Sequence, residues 1–201
     1  MTTAKPKKRE ITRKKVIKAA INSIYRNGFH AAHTNHIAEE AGVSWGVLQY
    51  HFGDKNGLLQ AVIDHIFEDF LATLASTELD GKDLRQRLDQ LIDVAWGLFS
   101  KKEYRVSVAI LRNAGKDKSS GINGKKQIKR WAKRMSDLWD QLLPAELCNT
   151  PQSETARHLL FATLRGLADE INPTGRLTKK SWEAERTALG EAIAHLLEKR
   201  I

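Results

Sequence analysis

Apolar residues recur along this chain at intervals of three and four, and alternation of the strand type is scarce. This spacing places the apolar residues on one face of an α-helix. Four prolines in 201 residues interrupt few helices, and a hydrophobic share of 41% is enough for a core. The longest stripe contains Leu58, Leu59, Val62, Ile63, Ile66, Phe67, Phe70, Leu71 and Leu74. The sequence therefore predicts an all-α protein.

Positive charge is concentrated at the amino end. Residues 1–57 hold ten Lys/Arg against four Asp/Glu, whereas the remaining 144 residues hold 23 against 20. Eight of the basic residues lie between Lys5 and Lys18. We expect residues 1–10 to form a disordered arm, followed by a helix with Thr12 as N-cap and Gly28 at its end. The basic end favours a polyanion partner, although a solvated arm without a partner has the same composition.

Other features limit the compartment and the chemistry. A lone cysteine, Cys148, allows no disulfide framework, and neither a secretory signal nor a membrane-spanning apolar run is found. We therefore expect a cytoplasmic protein without membrane contact. His30, His33 and His36 could suggest a metal site, but the first two fall in a predicted loop, and loop or phosphate-facing histidines are the favoured interpretation. We expect neither a metal nor a cofactor.

The most informative segment spans residues 34–59. Thr34 and Ser44 are expected to cap two short helices. Gly42 allows the tight turn between them, and the small side chains of Ala38 and Ala41 allow close approach. This layout is that of a helix-turn-helix, in which the second helix enters the major groove of DNA.

The same segment closely resembles the signature of the TetR family of bacterial transcription regulators. The matching positions are Thr34, Ile37, Ala38, Ala41, Gly42, Val43, Ser44, Gly46, His51, Phe52, Lys55 and Leu58. The resemblance implies a recognition helix from Trp45 to His51, and it is supported by the chain length and helix order. The residues that it implies for DNA contact are Thr34, Ser44, Trp45, Gly46, Gln49, Tyr50, His51 and Lys55.

The chain departs from the family pattern at one position of this helix. Many members carry tyrosine where Gln49 stands here, and the aromatic residue follows as Tyr50. Gln49 has the paired donor and acceptor that read adenine, whereas Trp45 can pack on a thymine methyl or on sugar. The operator of another member is therefore no guide to the operator of this chain.

The carboxy-terminal body carries several large aromatic residues. Core packing is the first explanation for each. In proteins similar to TetR, however, the helices after the long connector enclose a small-molecule pocket, and the candidates for lining it here are Trp96, Phe99, Tyr104, Trp131, Trp139 and Phe161. Residues 52–59 faintly resemble choline-responsive members, for which an aromatic cage around a quaternary ammonium is conceivable. A second basic cluster is formed by Lys125, Lys126, Lys129, Arg130, Lys133 and Arg134. We expect it to be a solvated helix face, and a second nucleic-acid or anionic-ligand surface is the alternative.

The last two helices are expected to form a homodimer interface. Ala162 and Gly166 leave room for close helix approach, and the resemblance implies a four-helix bundle across a two-fold axis. The apolar residues assigned to this interface are Leu160, Leu164, Leu167, Trp182, Leu189, Ile193, Leu196 and Leu197. An intrachain helix pair is the alternative.

Together these features predict a helix-turn-helix DNA-binding domain in residues 1–57 and a helical-bundle regulatory and dimerisation domain in residues 58–201. The function expected is a transcriptional regulator, most simply a repressor released from a palindromic operator by a small molecule. A sequence-blind DNA-binding protein and a ligand-binding helical protein without operator specificity are the alternatives. No catalytic triad, phosphate-binding glycine loop or paired-carboxylate motif is found, so an enzyme is not expected.

Overall fold

Nine α-helices follow one another in the part of the chain that the structure, a computed structural model, describes. That part comprises residues 8–114, 124–148, 150–174 and 179–198, and it contains no strand. None of its helices is both long and apolar enough to cross a membrane. The helices are α1 Lys8–Asn27, α2 Thr34–Glu40, α3 Trp45–Phe52, α4 Lys55–Ala75, α5 Leu84–Phe99, α6 Lys102–Ala114, α7 Gly124–Leu142, α8 Pro151–Thr174 and α9 Lys179–Glu198. The prediction of an all-α protein is confirmed.

Short polar side chains cap two of the helices as the sequence predicts. Ser44 Oγ accepts a hydrogen bond from the amide of Val47 at 3.3 Å at the start of α3. Thr150 Oγ1 accepts one from the amide of Ser153 at 3.0 Å at the start of α8. Each bond satisfies an amide that the first turn of a helix leaves without a backbone partner. Pro144 follows the end of α7, also as predicted.

The first helix begins earlier than predicted. α1 starts at Lys8, and Thr12 is not its N-cap, because the Thr12 hydroxyl donates to the carbonyl oxygen of Lys8 at 3.1 Å from inside the helix. Lys, Arg and Glu are favourable helix residues, so the charged residues 8–10 extend the helix by a turn. The predicted disorder is wrong for residues 8–10, and residues 1–7 lie outside the described part of the chain.

Two further helix boundaries differ from the prediction. The N-cap of α2 is His33, with extended backbone and no side-chain cap bond, so Thr34 is the first helical residue and not the cap. The sequence predicts that α8 ends before Pro173, because proline disfavours helical backbone in the residue before it, but the helix continues through Pro173 to Thr174.

One compact unit combines Met1–Glu68 with Lys102–Gln127. Within it, α1 packs on α2 and on α6, and α2 packs on α3. Polar contacts add to this packing: Lys102 Nζ donates to Asn22 Oδ1 at 2.8 Å, and the buried Gln127 donates through Nε2 to Asp64 Oδ1 at 2.5 Å. The buried apolar side chains that form the centre of this unit include Val16, Ile17, Ala20, Ile21, Ile24, Ile37, Leu48, Phe52, Leu58, Val62, Val106 and Ile110.

The second compact unit combines Asp69–Lys101 with Ile128–Ile201. Its centre is the mutual packing of α5, α8 and α9. Arg186 of α9 donates from Nε and Nη2 to the two carboxylate oxygens of Asp93 on α5, at 2.5 and 2.7 Å. This bidentate pair fixes the register between the two helices. The buried apolar residues of the three helices include Leu88, Leu91, Ile92, Ala95, Leu160, Leu164, Ile193 and Leu197.

Helical periodicity predicts that Val47 of α3 and Ile128 of α7 face inward, but both are exposed. Val47 lies about 100° around α3 from the buried Leu48, at the edge of the buried face. Ile128 is 53% exposed, although Leu138 and Trp139 further along α7 are buried. Apolar periodicity indicates the direction of a buried face, but not how wide it is or where along the helix it starts to be covered.

Candidate nucleic-acid interface

The turn between α2 and α3 depends on one glycine. Gly42 has φ +58°, in the left-handed region that favours glycine. Its amide donates to the carbonyl of Glu39 at 2.8 Å, and the amide of Val43 donates to that of Ala38 at 3.0 Å. These bonds close the carboxyl end of α2 and set α3 off in a new direction. Ala38 and Ala41 are both buried, as a close helix–helix approach requires.

α3 buries one side and exposes the other. Leu48 is 1% exposed and Phe52 is also buried, so these two side chains hold the helix on the core of its unit. Tyr50, on the opposite side, is 72% exposed, and Trp45, at the first position of the helix, is 51% exposed. Gly46 and Gln49 are exposed as well. The predicted recognition residues are therefore all accessible to solvent on one short helix, an element that a major groove accepts.

Packing inside the protein does not require the glycine at position 46. Gly46 is helical, and a Cβ placed there would come no closer than 4.0 Å to another atom, Oγ of Ser44. Glycine weakens a helix by about 1 kcal/mol relative to alanine. The protein therefore leaves room at this exposed position for the close approach of another molecule.

The start of α4 fixes the end of α3. Gly53 has φ +78°, and Asp54 Oδ1 accepts a hydrogen bond from the amide of Gly57 at 2.8 Å. A Cβ at Gly57 would come within 1.9 Å of the carbonyl oxygen of Phe52, so this glycine, unlike Gly46, is required by packing. Lys55 Nζ lies 5.4 Å from the ring centroid of Phe29. The predicted phosphate contact, Lys55, is thus held at the first turn of α4 by an aromatic neighbour.

Two arginines of α1 contact the carboxyl end of α3. Arg13 Cζ lies 4.8 Å from the ring centroid of Phe52, and its Nη1 donates to the carbonyl oxygen of His51 at 3.2 Å. Arg9 Cζ lies 5.6 Å from the ring centroid of Tyr50. In the sequence both arginines stand only as members of a basic run. One feature of the sequence could have identified them: Arg9 and Arg13 are four residues apart, on the same helix face as the apolar residues Val16 and Ala20.

These arginines also change the titration of a neighbouring histidine. The pKa of His51 lies below its ordinary value because partial burial disfavours the charged imidazolium, and because Arg9 and Arg13 repel it. His51 therefore favours its neutral form in the free protein. A phosphate brought against the ring would act in the opposite direction.

The other candidate histidines do not gather in one cluster. His36 lies against two carboxylates of its own helix, with Nε2 at 3.2 Å from Glu40 Oε1 and Nδ1 at 3.9 Å from Glu39 Oε2. Arg26 Nη2 contacts the same oxygen of Glu40 at 2.5 Å. Among the residues described, no group of three or more His, Cys, Asp or Glu side chains is placed to hold a metal ion.

The aromatic residues suggested for a ligand pocket lie in different surroundings. Phe99, Trp139 and Phe161 are buried together in the second compact unit. The ring centroid of Phe161 lies 6.2 Å from the centroid of Phe99 and 6.2 Å from that of Trp139. The Trp139 indole N–H donates to the buried Ser153 hydroxyl at 2.9 Å. Trp96 is half-buried and stacks on Trp182, with centroids 4.1 Å apart. Trp131 is half-buried in the same unit, whereas Tyr104 belongs to the first unit.

The residues suggested for the dimer interface divide into two groups. Leu160, Leu164, Ile193 and Leu197 are buried within the protomer, so their assignment as spare apolar surface is wrong. They occupy the inner faces of α8 and α9, where the core of the unit covers them. Leu167, Trp182, Leu189 and Leu196 are half-buried. The outer faces instead present residues that include Leu159, Thr163 and Gly166 on α8 and Ala184, Ala188 and Ala192 on α9.

Sequence comparison supports the interpretation of the interface. The sequence profile described as "Bacterial regulatory proteins, tetR family" matches residues 16–62, which cover most of α1 and extend into α4. A relative named HTH-type transcriptional regulator BetI, from Vibrio campbellii, is 26% identical over 176 residues, which are 83% of this chain and 84% of the relative. The protein of the same name from Vibrio parahaemolyticus is 35% identical over 86 residues, or 42% of this chain and 43% of the relative.

Solved structures share the fold along nearly the whole chain. A transcriptional regulator from Rhodococcus sp. Rha1 superimposes with a TM-score of 0.71 at 21% identity, covering 92% of this chain and 96% of that chain. NalD of Pseudomonas aeruginosa, described as the secondary repressor of the MexAB-OprM multidrug efflux pump, gives 0.63 at 20% identity, covering 92% and 95%. The multidrug binding protein EbrR, complexed with imidazole, gives 0.63 at 19% identity, covering 98% of each chain. The resemblance found in the sequence is confirmed: residues 16–62 match the profile of the TetR family of bacterial regulatory proteins, and the comparisons support a DNA-binding transcriptional regulator.

Proposed function

We propose that this regulator is a repressor that binds as a homodimer to a palindromic operator and leaves it when a small molecule binds. The observation that carries the proposal is the division of α3 between a buried side and an exposed side. Leu48 and Phe52 anchor the helix, while Trp45, Gln49 and Tyr50 are free to reach base edges. Gly46 permits the close approach that such contacts need. The description of the structurally similar NalD as a repressor favours repression.

Each DNA-facing residue has a role that follows from its chemistry. Gln49 reads adenine through paired hydrogen bonds, and Trp45 packs on a thymine methyl or on sugar. Contacts to phosphates, which fix the register on the duplex, come from Thr34, Ser44, His51 and Lys55. In functional terms, residues 1–57 read DNA, and residues 58–201 regulate and dimerise.

The dimer forms through the outer faces of α8 and α9. Ala184, Ala188 and Ala192 recur every four residues on the exposed side of α9, and small side chains let helices approach closely. On α8, Leu159 is 50% exposed and supplies an apolar anchor close to the exposed Gly166 face. Binding to a palindromic operator requires that the dimer hold two copies of α3 in successive major grooves, about 34–36 Å apart.

The effector binds among aromatic side chains of the second compact unit, for which the candidates are Trp96, Phe99, Trp131, Trp139 and Phe161. Such rings suit apolar or cationic molecules. The similarity of residues 52–59 to choline-responsive members makes choline the first probe. Release requires that the effector bind the DNA-free state more tightly than the DNA-bound state. α4 begins at Lys55, directly after the recognition helix, and is the element that would transmit this preference.

Fluorescence anisotropy with a labelled duplex tests the proposal. The full-length protein is titrated onto DNA from the region upstream of its own gene and onto a scrambled duplex, at about 0.15 M salt. We expect a preference of roughly a thousandfold for the specific duplex. The double variant Gln49→Ala/Tyr50→Ala is expected to lose that preference while keeping its thermal unfolding midpoint, because both side chains are exposed.

The alternatives predict different results. A sequence-blind DNA-binding protein binds both duplexes equally, with a steep salt dependence, and a selection from genomic fragments then enriches no common sequence. A ligand-binding protein without operator function binds neither duplex. Once an operator is known, choline and a panel of hydrophobic cations are added to the preformed complex. A lowered anisotropy identifies an effector, whereas the lack of release by any effector found to bind would contradict induction.

A further inference from the structure

The contacts between α1 and the carboxyl end of α3 extend the DNA-reading surface beyond the helix-turn-helix. We propose that Arg9, held over the ring of Tyr50, binds a backbone phosphate next to the bases read by α3, and that Arg13 is the positioning residue that fixes the end of this helix. The inference rests on the proposed DNA-binding function and assigns to it two residues outside the recognition helix.

Arg13 is built into the end of the recognition helix. Its guanidinium covers the buried ring of Phe52 and donates to the carbonyl of His51. That carbonyl is in the last turn of α3, where a helix leaves acceptors without amide partners. The negative end of the helix dipole also attracts a cation there. Arg13 thus joins α1 to the last turn of α3, and through it to Tyr50 and His51.

Arg9 occupies a different position on the same side of α1. It lies four residues before Arg13, so the two arginines share one face of the helix. Its guanidinium lies over Tyr50, but both side chains remain exposed. A cation–π contact orients the guanidinium, and the exposed N–H groups stay available for bidentate bonds to phosphate. Tyr50 therefore serves as a platform that holds the charge of Arg9 at the edge of the recognition surface.

The positive charges of both arginines act on the recognition helix. The pKa of His51 is lowered by its partial burial and, in addition, by repulsion from Arg9 and Arg13. The last turn of α3 therefore lies in a positive field even while His51 is neutral. A phosphate is the group on DNA that such a field favours, since bases carry no formal charge.

The test compares charge removal at Arg9 with conservative replacement at each arginine. Anisotropy titrations over a series of salt concentrations use Arg9→Ala, Arg9→Lys and Arg13→Lys, with Lys82→Ala as a control. Lys82 is exposed and belongs to the second compact unit. Arg9→Ala is expected to weaken operator binding roughly tenfold and to reduce the slope of log K against log salt by about one, as for one lost phosphate contact. Arg9→Lys, which keeps the positive charge, is expected to have the salt slope of the unmodified protein but to recover only part of the operator affinity that Arg9→Ala loses.

Arg13→Lys is expected to act on specificity. It keeps the charge but loses the planar contact with Phe52, so the preference for the operator over scrambled DNA falls while the salt slope stays unchanged. A second measurement without DNA follows the ring protons of His51 by NMR. Arg9→Ala should raise the pKa of His51 towards its ordinary value of about 6.5, and Lys82→Ala should leave it as in the unmodified protein.

Each unfavourable outcome contradicts a stated part of the inference. A salt slope for Arg9→Ala equal to that of Lys82→Ala would overturn the phosphate contact. Equal losses on operator and scrambled DNA in Arg13→Lys would overturn the positioning role. An unmodified protein that shows no DNA preference would refute the proposed operator function instead, and the slope of Arg9→Ala on any duplex would still decide the Arg9 contact.

Discussion

At the scale of single residues, two glycines close together in the sequence have opposite explanations. Gly57 is required by the fold, because a Cβ there would lie 1.9 Å from the carbonyl oxygen of Phe52. Gly46 has free space around it and stands on the exposed side of α3. The family signature includes Gly46 and not Gly57, but only the environment of each residue shows which of the two is required by packing.

Replacing each glycine by alanine separates stability from binding. Gly46→Ala should raise the free energy of unfolding by up to about 1 kcal/mol, since alanine is the better helix residue. It should also weaken operator binding roughly tenfold or more, which corresponds to about 1.4 kcal/mol, because the new methyl group blocks close approach. Gly57→Ala, the control, should lower the unfolding free energy. Chemical denaturation and anisotropy measure the two effects, and undiminished DNA affinity in Gly46→Ala would contradict a DNA-facing role for Gly46.

The titration of His51 predicts a pH dependence of DNA binding. In the free protein its pKa is lowered by partial burial, Arg9 and Arg13, whereas a bound phosphate raises it. Binding therefore takes up a proton, and affinity should increase as the pH falls through the interval between the free and bound pKa values. Anisotropy between pH 8 and pH 6, which are about 1.5 units above and 0.5 units below the ordinary histidine pKa of about 6.5, measures this dependence. His51→Gln should flatten the profile, and an unchanged profile in that variant would mean that other groups are responsible.

At the scale of helices, the start of α3 combines a cap with a predicted phosphate contact. Ser44 Oγ accepts a hydrogen bond from the amide of Val47, and the helix begins directly after it. The hydroxyl is exposed, so the same group can donate to DNA. Helix geometry thus places capping and binding at one residue.

Two substitutions at Ser44 separate these functions. Ser44→Ala removes the cap and should cost about 1 kcal/mol of unfolding free energy. Ser44→Asp retains a cap acceptor and should keep the stability, but its negative charge repels phosphate and should abolish operator binding. Thermal unfolding followed by circular dichroism and DNA titration give the two readouts. Tight DNA binding by Ser44→Asp would show that phosphate does not approach this helix start.

At the scale of the whole molecule, the proposed recognition of a palindromic operator requires two copies of the chain. α9 buries Ile193 and Leu197 inside the protomer and leaves Ala184, Ala188 and Ala192 outside. α9 thus has an inner face of apolar residues and an outer face of small residues. This arrangement is consistent with a protomer that folds first and then associates with a second copy.

A charged residue on the outer face should separate the protomers. Ala188→Arg is expected to yield a folded monomer, because the position is exposed, and to weaken binding to a full operator while half-site binding remains. Leu160→Ala, the matched control on the inner side, should instead lower the unfolding free energy by about 2–5 kcal/mol. Sedimentation velocity gives the mass and denaturation the stability. A dimeric Ala188→Arg variant would exclude this face as the interface.

Local sequence determined the elements of this protein. Three local signals act over only a few residues each: helical periodicity, the caps Ser44 and Thr150, and the turn at Gly42. The positions of the helices and of this turn therefore follow from residues that are neighbours in the sequence. The signature between residues 34 and 58 likewise identified the family. Which residues contact DNA and effector stays a prediction, since it depends on a partner.

Tertiary packing decided the rest, because burial is a property of what lies opposite a side chain and not of its position in a helix. Leu160 and Ile193 were equal candidates for the interface until their burial inside the protomer excluded them. Val47 and Ile128 were assigned inward from periodicity, but their faces are left uncovered. Arg9 and Arg13 come from far outside the recognition helix, and only the packing of α1 brings them to Tyr50 and Phe52.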